Sequence, residues 1–172
     1  MCGADGRRRE RSQAEARPRV GALTAAVVAG ALAVAALNAL PGVLGGWRWY
    51  RCEPSRAFWL LLRVGQGSAL VFALAVGALA LAGEYSSDRL FYLYALLPLA
   101  VGFVAEQLRV ISAQTILDRR ELADARAVGE LPELQQRAIV AEIMRRELGV
   151  MTLSALVVVV LALRAAGTAH GF

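Results

Sequence analysis

The sequence predicts an all-α integral membrane protein with four transmembrane helices, the third and fourth extended into an antiparallel helical hairpin. Three observations predict it. Of the 172 residues, 58% are hydrophobic, where a soluble domain is about half apolar. The excess lies in four blocks, at about residues 20–44, 57–82, 90–108 and 150–166. Each can cross a hydrocarbon core of about 30 Å at 1.5 Å per residue, the last only just. Between the third and fourth blocks, a charged stretch keeps a helical pattern. Inside lipid every backbone N–H and C=O needs an internal partner, so the blocks should be helices. Residues 20–172 then form one membrane domain, with the hairpin over about 109–149.

Residues 1–19 are polar and Arg-rich, and the composition predicts a disordered tail. Arg7, Arg8, Arg9, Arg11, Arg17 and Arg19 face only Asp5, Glu10 and Glu15, a local charge of +3. Such a tail suits anionic lipid headgroups. Nucleic-acid binding is not expected, because no fold motif accompanies the charge. All 19 basic residues are arginine, which with the abundant alanine points to a GC-rich bacterial genome.

The first block is interrupted by Asn38 and by Pro41-Gly42 near its end, where a helix break is expected. A signal peptide is the competing reading. The block is longer than an h-region and "ALNALPG" is a poor cleavage site, so a retained span is expected. Trp47, Trp49 and Tyr50 follow this block, Phe58 and Trp59 open the second, and Phe91, Tyr92 and Tyr94 open the third. Amphipathic rings gather at headgroup level, and the first and last of these groups should mark opposite faces.

The second span repeats small residues at Gly65, Ala69, Ala73 and Gly77, and the first at Ala25, Ala29 and Ala33. Helices in lipid associate where small side chains let backbones approach. Packing within the chain and a homo-oligomer seam are both open readings.

"GEYSSDR" joins spans two and three, so they are antiparallel neighbours. Depth can be counted from that loop. Arg63 and Gln66 lie 20 and 17 residues before Gly83; Glu106 and Arg109 lie 17 and 20 after Arg89. The count brings Arg63, Gln66, Glu106, Gln107 and Arg109 to one level. An Arg63–Glu106 ion pair is predicted across an offset of about 4–5 Å. Snorkelling of Arg63 to the interface and a local Glu106–Arg109 pair are the plainer alternatives. Asn38 falls on the same face and either joins the cluster or caps the break before Pro41.

From Glu106 to Val128 no breaker interrupts the third helix; Gly129 and Pro132 then mark a stop and a restart. Arg109 to Ala127 is 19 residues and Pro132 to Gly149 is 18, which predicts matched arms standing about 27 Å proud of the membrane. Ile139, Val140, Ile143 and Met144 form one apolar face. Glu133–Arg137 and Glu142–Arg146 are i,i+4 pairs. The mixed charge reads as a solvated face or as a docking arm, with Arg119, Arg120, Arg145 and Arg146 the candidate docking residues. A pair of helices lying flat on the membrane is a third reading.

Cysteine occurs twice, at Cys2 and Cys52, and histidine once, at His170. That excludes a bis-histidine haem and any Cys- or His-rich metal site. With no nucleophile motif, phosphate loop or dinucleotide fingerprint, no catalytic residue, cofactor or metal is expected.

Four spans put both termini on one side. That side carries eight arginines and the hairpin side eleven. The count favours a cytoplasmic hairpin in the plasma membrane, while the concentrated N-terminal charge favours the reverse. Two functional expectations follow. One is a non-enzymatic accessory or assembly subunit docking through the hairpin. The other is a small oligomeric transporter or channel using Arg63, Gln66 and Glu106, whose flux depends on pH.

Overall fold

The computed structural model describes the backbone of residues 3–51, 53, 55–120, 122 and 125–170, with side chains from Gly21 onward except at 113 and 125. Both cysteines lie outside the described residues. The described chain is all-helical: α1 Gly3–Arg51, α2 Arg56–Leu81, α3 Arg89–Arg119, α4 Ala125–Gly129 and α5 Glu133–Thr168. Four helical stretches, Gly21–Arg51, Arg56–Leu81, Arg89–Arg119 and Glu133–Thr168, are long and apolar enough to cross a membrane.

Helix α5 is the central element. It packs along α1 and α3, while α2 packs on α1 and touches α3 less extensively. The core has three layers along the bundle. Phe91, Ala95, Val27, Ala31, Val76, Ala165 and Ala169 fill the end near the α2–α3 loop. Val34, Ala35, Ala69, Val158 and Ala162 fill the middle. Phe58, Leu62, Ala105, Leu148, Met151 and Ala155 fill the opposite end. Alanine dominates because it lets helix backbones approach. Only 22% of the most apolar 18 residues of α2 and of α3 is buried, against 39% in α5. The apolar surface therefore faces outward, far beyond the patches a water-soluble monomer exposes.

Helix ends follow their local chemistry. Ser55 caps α2 by accepting from the Phe58 amide, and Asp88 caps α3 by accepting from the Leu90 amide, each satisfying an orphan N–H of the first turn. Gly83, at φ 88°, supplies the left-handed turn after α2. The Ser86 and Ser87 hydroxyls donate to the His170 carbonyl at 3.1 and 2.9 Å, tying the end of α5 to the α2–α3 loop.

Several expectations are corrected. Helix α1 begins at Gly3, so its backbone takes in the segment predicted to be a disordered tail; the Ala, Arg, Glu and Gln there are good helix formers. It also continues through Pro41 without the expected break. Pro41 is fully buried, and a β-carbon on Gly42 would sit 2.6 Å from Leu156 of α5. Packing against a neighbouring helix offsets the missing N–H bond. Phe58 and Phe91 have no exposed surface and are packed into the core at the two ends of the bundle.

The matched arms do not form. Helix α3 stops at Arg119, and the Arg120 and Leu122 amides both return to the Leu117 carbonyl at 3.0 Å. The run Asp118-Arg119-Arg120 offers no apolar side chain to bury, and the half-buried Leu122 folds back. The five-residue α4 then precedes the turn into α5.

Candidate functional site

The predicted polar cluster assembles where α2, α3 and α5 meet. Each helix presents its polar residues one turn apart: Arg63 and Gln66 on α2, Glu106 and Arg109 on α3. Glu106 is the hub. Its Oε1 accepts from Arg63 Nη1 at 2.7 Å and from Gln66 Nε2 at 3.2 Å. Arg63 Nη1 also donates to Gln66 Oε1 at 2.8 Å. Arg109 Nη1 lies 3.4 Å from the second Glu106 oxygen, and Arg109 Nε lies 3.6 Å from Glu147 of α5. The Arg109 guanidinium stacks 4.8 Å from the Trp59 ring centroid. Gln107 is exposed beside the cluster and, among the described residues, makes no hydrogen bond to it.

Two arginines thus face two glutamates, and both Glu106 oxygens are engaged. The network is charge-neutral and satisfied, which is how ions are held outside bulk water at tolerable cost. Arg63 is 56% exposed along its side chain and Glu106 30%. The bridge therefore lies on the outer face of the bundle, so pairing and outward reach coexist in one arginine.

Asn38 does not bond to this cluster. It is 2% exposed, and its Nδ2 donates to the Val34 carbonyl of its own helix at 2.9 Å and to the Gly65 carbonyl of α2 at 3.1 Å. A β-carbon on Gly65 would come 2.8 Å from Asn38 Oδ1. Beneath Glu106 a cavity of about 260 Å³ runs between the helices, with Asn38, Gln66, Glu106 and Ser154 as its polar lining and Leu62, Pro98 and Phe103 among its apolar walls.

The four docking candidates separate. Arg120 pairs with Glu142 of α5 at 2.9 Å. Arg119 is exposed on α3. Arg145 lies 5.6 Å from the Trp49 ring centroid, and it lines a pocket of about 490 Å³ with Arg146, Trp49, Ala141 and Glu142. Among the small residues of α2, Gly65, Ala69 and Ala73 are buried inside the chain; Gly77 alone is exposed.

Sequence reasoning missed Glu147, Trp59 and Trp49 as members of these groups. Counted outward from Gly129, Arg109 and Glu147 fall within two residues of one level, so the same depth count that paired Arg63 with Glu106 would have reached this pair. The signal that remains is the boundary itself: Trp59, Arg109 and Glu147 all lie where an apolar block meets a charged one.

No protein-family model, curated protein or solved structure matches the chain.

Proposed function

We propose that the protein is a multi-pass integral membrane protein whose task is non-enzymatic: it holds a protein partner through a helical extension built by α3, α4 and α5. From Gly149 to Thr168, α5 rises about 28 Å, the thickness of a bilayer's hydrocarbon. Beyond that level α5 runs back from Gly149 to Glu133 and α3 runs on from Arg109 to Arg119, about 24 and 15 Å respectively at helical rise. The extension is charged, and it keeps Leu134 at 82% and Val140 at 48% exposure.

The observation that carries the reading is the clamp at the root of the extension. Glu106, Arg109 and Glu147 tie α3 to α5 there, and Arg120–Glu142 ties them again further out. An arm so braced to its spans suits docking, since a rigid surface loses less freedom on binding. Affinity purification from the host's own membranes tests it. A stoichiometric partner should copurify and be lost in the Arg119→Glu variant, with the protein still monodisperse. Copurification of nothing but this chain would contradict the proposal.

The cavity under Glu106 favours a second reading, transport by a small oligomer. In that reading Glu106→Gln blocks flux by itself. Against it, Glu106 is already compensated on both oxygens, and Arg63 and Arg109 match Glu106 and Glu147 in charge.

A further inference from the structure

We infer that the pocket between the end of α1 and the middle of α5 is a headgroup site for an anionic phospholipid, with Arg145 and Arg146 as its phosphate ligands; this rests on the membrane reading above.

Depth is the first argument. Trp49 packs against α5 at Gly149, its indole nitrogen 3.3 Å from where a β-carbon would lie. Gly149 is also the residue at which the apolar run of α5 begins. An indole at that level is an interfacial anchor. Arg145 and Arg146 are one turn farther out, about 5–6 Å, at the height of lipid phosphates.

Unused charge is the second. The carboxylate in the pocket, Glu142, is taken by Arg120, and the next acid along α5, Glu147, is taken by Arg109. Arg145 and Arg146 have no carboxylate within ion-pair distance among the described residues. The Trp49 ring lies against the Arg145 guanidinium, a cation–π contact that orients the group without neutralising it. Two adjacent guanidiniums in a pocket of about 490 Å³ match an anionic phosphodiester, which arginine binds through paired N–H donors.

Segregation of charge is the third. At this level of the bundle Arg48, Arg51, Arg56, Arg63, Arg109, Arg145 and Arg146 stand against Glu53, Glu106 and Glu147. Farther out, among the described residues, Asp118, Glu130, Glu133 and Glu142 match Arg119, Arg120, Arg126 and Arg137 one for one. The root of the extension is basic, and its described outer residues are charge-balanced. A basic pocket between helices at the membrane surface is where anionic headgroups bind. Arg119, exposed in the outer part and in no ion pair among the described residues, is left for the protein partner.

Native mass spectrometry of the delipidated full-length protein in detergent tests the site. Phosphatidylglycerol and phosphatidylcholine are added at equal concentration. Phosphatidylglycerol should be retained about tenfold more strongly, two arginines each contributing at the membrane surface. The Arg145→Gln/Arg146→Gln variant should lose the preference, and Arg119→Gln/Arg137→Gln should keep it. Equal retention of the two lipids by the wild-type chain, or an unchanged preference in the 145/146 variant, would overturn the site. So would complete displacement of the lipid by an equal concentration of free glycerol phosphate, which would mean a water-facing phosphate site. If Arg119→Glu abolishes partner capture and leaves lipid preference intact, the two proposals stand separately. Loss of lipid preference alone refutes only this one.

Discussion

At the scale of single residues, close approach of α1 to α5 depends on glycine. A β-carbon on Gly45 would collide with Thr152 Oγ1 and lie 2.5 Å from the Phe58 ring. Gly45→Ala should therefore destabilise the bundle by about 1–3 kcal/mol. Gly67→Ala, with nothing within 4 Å, should leave unfolding in mixed micelles unchanged. Glu106 carries a sharper expectation. Because it serves Arg63, Gln66 and Arg109, Glu106→Ala should destabilise more than Arg63→Ala, which leaves Glu106 on Arg109. The double substitution should cost less than the sum of the singles, with coupling of about 0.5 kcal/mol or more. Strict additivity in the same unfolding assay would count against a direct bridge. This pair was readable from the sequence because depth could be counted from one tight turn along two unbroken helices. Asn38 was read only in part: its face was right, but its partner is a backbone carbonyl, to which no side-chain pattern points.

At the scale of elements, the apolar blocks marked all four long helices, and the ends of the helices departed from them. Helix α1 ran past Pro41 because buried packing outweighed one lost hydrogen bond. Helix α3 ended at Arg119 without glycine or proline. Breakers are thus neither sufficient nor required to stop a helix: Pro41 and Pro98 are carried inside helices, and a run of charge with nothing to bury stops one without them. The extension should be held by burial more than by its ion pairs. Ile116 and Ile139 are each 1% exposed, whereas Arg120 and Glu142 are both 44% exposed. Ile139→Ala should cost about 2–5 kcal/mol, and Glu142→Ala no more than about 1 kcal/mol. Hydrogen exchange over residues 133–147 reads both, with a large rise in exchange only for Ile139→Ala. Comparable exchange in the two variants would assign the extension to its charges.

At the scale of the whole molecule, an all-helical build with four helices long and apolar enough to cross a membrane was legible from composition and block length alone. The arrangement was not, because α5's central position depends on where small residues let helices approach. The same geometry explains why the α2 stripe is no free seam: Gly65, Ala69 and Ala73 are spent within the chain. The proposed multi-pass topology predicts that the protein remains in the membrane pellet after alkaline carbonate, and release into the supernatant would contradict it. With a cytoplasmic extension, Cys52 of a Cys2→Ser variant should resist an impermeant maleimide in intact cells and react after permeabilisation. Rapid labelling in intact cells would reverse the orientation.

The most direct test of docking is photocrosslinking in living host cells. A photoreactive side chain at position 119, on the outer part of α3, is compared with one at Val71, which is 67% exposed on the apolar face of α2. The docking account predicts one discrete adduct with another protein from position 119 and none from position 71. No adduct from 119, or only adducts between copies of this chain, would contradict it.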